Sequence, residues 1–321
     1  MATDSQRRLL VSTIVPAKDE EGNIEEFCRQ FAQMQKTAPF DCELVFIDDG
    51  SHDRTLARIK EAQRQFGFVR YASHQRNRGL TEALQTGFAV ASGDIFVFYP
   101  ADLQYKPEDI PALVQPVIDG ADLCAGWRQG RYRKWLVHKI YNWASQKIFG
   151  LKIHDLNSVK AFRREVVEHI FLRRDWHRYL VVLAHNEGFR IDEAKINLYD
   201  RQWGRTKFGG FWRVIVGVLD MLAVKFQITF LRKPLLFFGV SGSLCFAAGL
   251  AAGLVALYLR IFLDIGYRPL LYLVILLLGI GMGLFMMGFM AEGLTALREE
   301  TSDTRRKTND LIKQLREGEG K

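Results

Sequence analysis

The sequence predicts an α/β domain built on a mostly parallel sheet, followed by an interfacial amphipathic helical segment and a C-terminal two-helix transmembrane hairpin. Three observations predict it. Short apolar runs alternate with helix-period stretches through the first part of the chain. A polar cluster follows each of the first four strands in turn. Two apolar runs without a charged residue, 234–259 and 269–291, stand near the C-terminus. Each exceeds the about 20 residues that cross a bilayer.

Taken in order, residues 9–15 read as a strand and 21–34 as a helix. Residues 42–48 form a strand, 54–66 a helix, 69–72 a strand, 80–91 a helix and 94–99 a buried strand. Residues 123–126 add one more strand. Parallel sheets of this kind bind ligands at the carboxyl ends of their strands. The polar clusters stand there: Pro16-Ala17-Lys18-Asp19-Glu20-Glu21, Asp48-Asp49-Gly50-Ser51, Arg76-Asn77-Arg78-Gly79 and Pro100-Ala101-Asp102-Leu103-Gln104. One such cluster is ordinary turn and cap chemistry. Four in register along one edge predict a site.

Charge narrows the ligand. The chain has 321 residues and a net charge of +8, with much of the positive charge beside the apolar runs. That placement favours membrane lipids or phosphorylated substrates, and no nucleic-acid-binding signature accompanies it. Lys225, Arg232 and Lys233 precede the first apolar run, and Arg298, Arg305, Arg306 and Lys307 follow the second. Only Arg260 and Arg268 lie in the link, so the domain and tail are expected in the cytoplasm. Residues 211–230 are amphipathic and aromatic-rich, as for a helix lying along the interface. Gly249-x3-Gly253 and Gly279-x3-Gly283 offer close helix approach, within the hairpin or in a homo-oligomer. The expected organisation is a catalytic domain over 1–209, interfacial helices over 210–233, the hairpin over 234–292 and a charged tail over 293–321. The four cysteines form no CxxC or zinc set and read as reduced thiols. The polar N-terminal stretch leads straight into a strand and does not read as a signal peptide.

These motifs resemble the family 2 glycosyltransferases with the GT-A (Rossmann-like) fold, and within them the polyprenyl-phosphate glycosyltransferases. The resemblance runs from Val15-Pro16-Ala17 with Glu20, through Asp48-Asp49-Gly50-Ser51, Asn77-x-Gly79 and Ala101-Asp102-Leu103-Gln104, to Asp155-Leu156-Asn157 with Lys160-Ala161-Phe162-Arg163-Arg164. His177-Arg178-Tyr179, Arg201 and Arg205-Thr206-Lys207-Phe208 follow, then the two spans. It implies sugar transfer from a nucleotide-sugar donor to a polyprenyl phosphate acceptor, with a divalent cation (Mg2+ or Mn2+) held by Asp102 and Gln104. It implies a nucleotide-sugar site lined by Pro16, Ala17, Asp19, Glu20, Asp48, Asp49, Asn77, Gly79 and Ala101, with Asp155 beside Asp102 at the reacting centre. Arg201 and Lys207 are assigned to a loop over the diphosphate. Arg128, Lys134, His138, Lys139 and Arg205 are assigned to the acceptor phosphate.

The pattern departs from the family at three places. Pro100 replaces the first acid of Asp-x-Asp, Lys18-Asp19-Glu20 replaces Tyr-Asn-Glu, and Lys134-x3-His138 replaces Arg-x3-Ser. Other readings of single residues are a cap or an Arg163 partner for Asp155, and a headgroup-attracted basic helix for 128–139. A non-catalytic membrane scaffold is the alternative that Pro100 and His138 favour. A processive polysaccharide synthase is a further one, and it lacks its Gln-x-x-Arg-Trp here. The motifs admit UDP-glucose, GDP-mannose, UDP-N-acetylglucosamine and UDP-amino-sugars, with UDP donors favoured.

Overall fold

The computed structural model describes residues 8–129, 145–170, 172–173, 175–200, 212–230 and 234–318. The chain divides into two compact units, Met1–Met221 and Leu222–Lys321.

In the first unit β1 (Leu10–Ala17), β2 (Asp41–Asp48), β3 (Val69–Ser73), β4 (Ile95–Phe98), β5 (Leu123–Gln129), β6 (Lys160–Arg163) and β7 (Ile191–Asn197) form one seven-stranded sheet. Their order is β3-β2-β1-β4-β6-β5-β7. Only β6 runs against its neighbours. The C-terminal ends of the other strands and the start of β6 therefore share one edge. That edge includes the point beside β1 where the strand order reverses, the usual place for a ligand crevice.

Helices α1 (Ile24–Gln35), α2 (Thr55–Gln65), α3 (Leu80–Val90), α4 (Ile110–Ile118), α5 (Arg164–His169) and α6 (Leu180–Asn186) accompany the sheet. In α1, Ile24, Phe27, Cys28, Phe31 and Met34 recur every three or four residues and are buried. Phe27 meets Phe46 and Tyr99 edge-on, with ring centres 5.8 and 6.4 Å apart. On α3, Phe88 stacks on Phe96 at 5.6 Å, with Phe162 edge-on to both. A Cβ at Gly87 would lie 2.3 Å from Ile14 Cγ2, so α3 sits against β1 only because that side chain is absent. The Cys28, Cys42 and Cys124 thiols are free, and burial pushes each up to about 12.

Pro16 inside a central strand is explained by register. The β1–β4 ladder ends at Ile14↔Phe98, and Tyr99 N then donates to Ile14 O. Two residues on, the Pro16 nitrogen faces the same side, where no donor is required.

The first helix begins at Ile24 rather than 21, because residues 19–23 turn back towards β2. Asp19 has φ 51°, and Glu20 N and Glu21 N donate to Thr55 Oγ1 and Asp53 Oδ2. The predicted strand 123–126 continues to Gln129, which carries Arg128 to the sheet edge. Strands β6 and β7 extend the predicted sheet. Four residues in β6 are too few for a period-2 pattern to register. At the opposite, N-terminal edge, Glu43 accepts from Ser12 Oγ, Ser92 N and Arg70 Nη1, and Ser12 Oγ accepts from Gly93 N.

Helix α7 (Trp212–Phe230) exposes Leu219, Leu222 and Phe226, an i, i+3, i+7 stripe. In the second unit, α8 (Pro234–Phe262) and α9 (Arg268–Gly318) form an antiparallel pair. Both contain segments long and apolar enough to cross a membrane, with almost none of that surface buried. Helix α9 is continuous through residues 293–318, the segment assigned to the tail. A Cβ at Gly242 would lie 2.7 Å from Gly281 O, and one at Gly249 3.0 Å from Leu278. Gly279 and Gly283 meet nothing within 4 Å, and Gly253 only Val274 at 3.6 Å. Of the four glycines expected to permit close approach, Gly249 alone does so within the hairpin. Gly281 and Gly288 lie seven apart on the seam, and Gly279 and Gly283 turn away from it. Leu235 N donates to Glu292 Oε2 at 3.2 Å, closing the base of the pair.

Candidate active site

The loops after β1 and β2 are laced together reciprocally. Ala17 O accepts from Asp49 N at 2.9 Å. Asp19 N donates to Ser51 Oγ at 3.0 Å, and His52 N donates to Asp19 Oδ1 at 2.8 Å. Glu20 Oε2 accepts from Asn23 Nδ2 at 2.6 Å. Pro16 and Ala17 end β1 beside Ile47 and Asp48, so these residues form one rim. Asp48 is buried, with Oδ1 accepting from Ser51 N at 3.3 Å.

Asp49 is more heavily engaged than the sequence suggested. Its Oδ1 faces His74 Nδ1 at 2.8 Å and accepts from Arg78 N at 2.8 Å, and its Oδ2 accepts from Gly79 N at 2.9 Å. A carboxylate has about four acceptor positions, so Asp49 chiefly holds the loop that carries Asn77. Asn77 Oδ1 also accepts from Gly79 N, at 3.0 Å. Gly50, at φ 66°, allows this: a Cβ there would lie 2.5 Å from Arg76 C.

Ala101 and Asp102 follow β4 and are buried, with Asp102 7% exposed. Asp102 Oδ1 accepts from Gln104 N at 3.2 Å, and Leu103 between them has φ 55°. Tyr199 N donates to Gln104 O at 2.9 Å, and Tyr99 Oη to Lys106 O at 2.8 Å, so both halves of the loop are pinned. An Asp carboxylate and a Gln side-chain oxygen are hard donors of the kind Mg2+ and Mn2+ take, and such ions complete their shells with water and substrate phosphate. Among the described residues no cluster of three His, Cys, Asp or Glu would hold a metal by itself. Two such donors suit a cation that is shared with a substrate, and Pro100 has no side-chain oxygen to add.

Asp155 lies just before β6 and is paired with Arg128 near the end of β5, not with Arg163. Arg128 Nε and Nη2 both donate to its carboxylate, the latter at 2.8 Å, and Asn157 N donates to Oδ1 at 3.1 Å. Arg163 instead reaches Val117 O at 3.0 Å and lies 3.8 Å from Asp122, because it leaves the other end of β6. Arg128 was expected at the acceptor phosphate; it stands at that edge with its guanidinium oriented by Asp155. Next to this pair, Trp127 stacks on His154 at 3.9 Å, and His154 N and Nδ1 meet Glu193 at 2.6 and 2.7 Å. Burial pushes the Tyr105 phenol up to about 12, and it feels Arg128, Asp155 and Asp102 together. Its hydroxyl lies 3.3 Å from Ser158 Oγ, which joins the Asp102 loop to the start of β6.

His177 is buried, with Nδ1 3.0 Å from Thr81 Oγ1; burial, then Arg178 and Lys160, pushes it down to about 3. It braces α3 as a neutral ring. Lys134, His138, Lys139, Arg201, Arg205 and Lys207 lie outside the described residues. Sequence reasoning passed over His74, Tyr105, Ser158 and Lys160 as site residues. Lys160 carried a readable signal, a lysine between Val159 and Ala161-Phe162 in a buried strand.

Comparison with known proteins agrees with this fold. Residues 12–176 match the model of glycosyl transferase family 2. The dodecaprenyl-phosphate galacturonate synthase of Rhizobium johnstonii is 31% identical over 97% of this chain and 94% of that protein. The undecaprenyl-phosphate 4-deoxy-4-formamido-L-arabinose transferase of Aeromonas hydrophila is 25% identical over 88% of this chain and 87% of that protein. Glucosyl-3-phosphoglycerate synthase from Mycobacterium tuberculosis, solved with Mn2+, UDP and glucosyl-3-phosphoglycerate, superposes with a TM-score of 0.54 at 24% identity. It covers 66% of this chain and 80% of that one, and it shares the fold. With its motifs gathered on one edge of such a sheet, the chain belongs to glycosyl transferase family 2.

Proposed function

We propose that this chain transfers a sugar from a nucleotide-sugar to a polyprenyl phosphate, giving a polyprenyl-phosphate-sugar and a nucleoside diphosphate. The observation that carries the reading is the convergence of Asp49, Asp102 and the Asp155–Arg128 pair on one sheet edge. The relatives named for dodecaprenyl-phosphate galacturonate synthesis and undecaprenyl-phosphate aminoarabinose transfer support it, and both match over most of their length. The two apolar helices give such an enzyme its hold on the bilayer that contains its acceptor. The basic residues outside the hairpin favour a cytoplasmic domain and tail.

The chemistry asks for position and charge. A phosphate monoester oxygen is already ionised near neutral pH, so no base has to act on it. That oxygen attacks the anomeric carbon, the bond from this carbon to the diphosphate oxygen breaks, and the electron pair leaves with the diphosphate. In-line attack inverts the configuration. The Ala17, Asp19, Glu20 and Asp48–Asp49 rim faces the nucleotide, and Asp49 holds the Asn77–Gly79 loop beside it. Asp102 and the Gln104 side chain would hold a divalent cation, which when bound offsets charge on the diphosphate. Asp155 orients Arg128 towards the acceptor phosphate, a bidentate duty that guanidinium suits. Lys134, Lys139 and Arg205 add charge for that phosphate, and His138 offers a ring N–H. Arg201 and Lys207 cover the diphosphate.

The test uses purified full-length protein in detergent, radiolabelled nucleotide-sugars and undecaprenyl phosphate. Label should enter the organic phase only when the lipid phosphate is present. Label recovered as free sugar or polymer, or none transferred from any donor of the panel, would overturn the reading.

A further inference from the structure

Lys160 opens β6 in the middle of the sheet, opposite Phe98 of β4 and Ala125 of β5, and is 2% exposed. Its ammonium donates to Ser158 O at 2.7 Å. An ammonium has three N–H donors, and the described residues offer no acceptor for the other two. Burying such a charge against one neutral carbonyl is unfavourable unless a further partner arrives. The carboxylate it feels is Asp155, whose oxygens already receive Arg128 Nε, Arg128 Nη2 and Asn157 N. His177, which also feels Lys160, is neutral. Burial pushes Lys160 down to about 8, against the pull of Asp155 and with that of Arg128, so the ammonium form still prevails at neutral pH.

We propose that Lys160 is a substrate-binding residue of the transfer site, whose ammonium takes an anionic oxygen of a bound substrate with the donors that Ser158 O leaves unmet. The inference rests on the transfer reading above. The oxygen can come from the donor diphosphate, from the lipid phosphate or from the carboxylate of an acidic sugar, and KM values separate these sources. Full-length wild type, Lys160→Met and Lys160→Arg are assayed with UDP-glucose, UDP-galacturonate and undecaprenyl phosphate. Lys160→Met should raise one KM about tenfold, the size of one charge-assisted contact. A rise for UDP-galacturonate alone identifies the sugar carboxylate. A rise for every UDP donor identifies the diphosphate, and a rise for the lipid alone identifies its phosphate. Lys160→Arg should restore the affected KM to within about threefold, since it keeps the charge. Lys160→Gln, which keeps a donor for Ser158 O, replaces the methionine variant if that one does not fold. All KM values staying within twofold of wild type, whatever kcat or melting temperature does, would overturn the inference. A wild type inactive with every donor of the panel above would overturn the transfer reading and this inference together, whereas an active wild type with unmoved KM values overturns the inference alone.

Discussion

Glu43 and Asp155 are both carboxylates sunk into the same sheet beside an arginine, Glu43 near the N-terminal edge with Arg70 and Asp155 at the C-terminal edge with Arg128. Around Glu43 the account closes. Burial pushes its carboxyl up, but hydrogen bonds from Ser12, Ser92 N and Arg70 outweigh that and hold it below the usual carboxylate range. One negative charge meets one positive charge, and Arg70 remains half-exposed to water. Around Asp155 the same motif has a third member. The Arg128 side chain is 11% exposed, and Lys160 adds a buried cation. The closed pair joins strands and needs nothing further. The Asp155 cluster holds a lysine ammonium with one hydrogen bond among the described residues, and it stands at the edge where α/β sheets place ligands.

Variants can break this contrast. The largest effect is expected from Arg128→Lys, which keeps the charge and removes the fork held by Asp155. Transfer should fall roughly a hundredfold with melting temperature little changed; a steady-state rate on folded protein checks this, and an unchanged rate would show that the fork is idle. Lys134→Ala should raise the KM for the lipid about tenfold and leave the donor KM alone. A change confined to the donor KM would move Lys134 out of the acceptor site. Glu43→Gln should lower unfolding free energy by roughly 1–3 kcal/mol, as for a buried group that loses its charged hydrogen bonds, with transfer per folded molecule unchanged. Denaturant midpoints and rates measured on one sample decide this.

The smallest effect expected is on pH dependence. The His177 ring is pushed down to about 3 when folded, against an ordinary value of 6.5. As pH falls below about 6.5 the unfolded chain takes up this proton first, so stability declines from there towards pH 3. Glu43 acts at lower pH, since its contribution is present above its unfolded value and is lost as pH falls through its depressed folded value. Between pH 7 and 5, His177→Asn should therefore flatten the decline in denaturant midpoint. An equal slope in both proteins would contradict the assignment of a neutral buried ring.

The sequence carried the fold well where burial is one-sided and long. The α1 stripe of Ile24, Phe27, Phe31 and Met34 and the strand ending at Asp48-Asp49 were legible because period and turn chemistry agree there. Partners across the sheet were not legible. Asp155 takes Arg128 rather than Arg163 because β6 runs antiparallel, which sends Arg163 to the far edge, and local spacing holds no information about strand direction. The further role of Asp49 in holding the Asn77 loop was not legible for a similar reason: its partner His74 is 25 residues away and meets it only through the β2–β3 pairing. The glycine seam of the hairpin follows rotation between two helices, which a Gly-x3-Gly spacing within one helix does not determine.

The most direct test of the two-edge account is the initial rate of lipid-linked sugar formation by Asp102→Ala and Glu43→Gln, side by side and normalised to folded protein. The account predicts a loss of at least about a hundredfold for Asp102→Ala at unchanged stability, and a wild-type rate for the less stable Glu43→Gln. Near-normal transfer by Asp102→Ala, or a comparable loss of rate in Glu43→Gln, would contradict it.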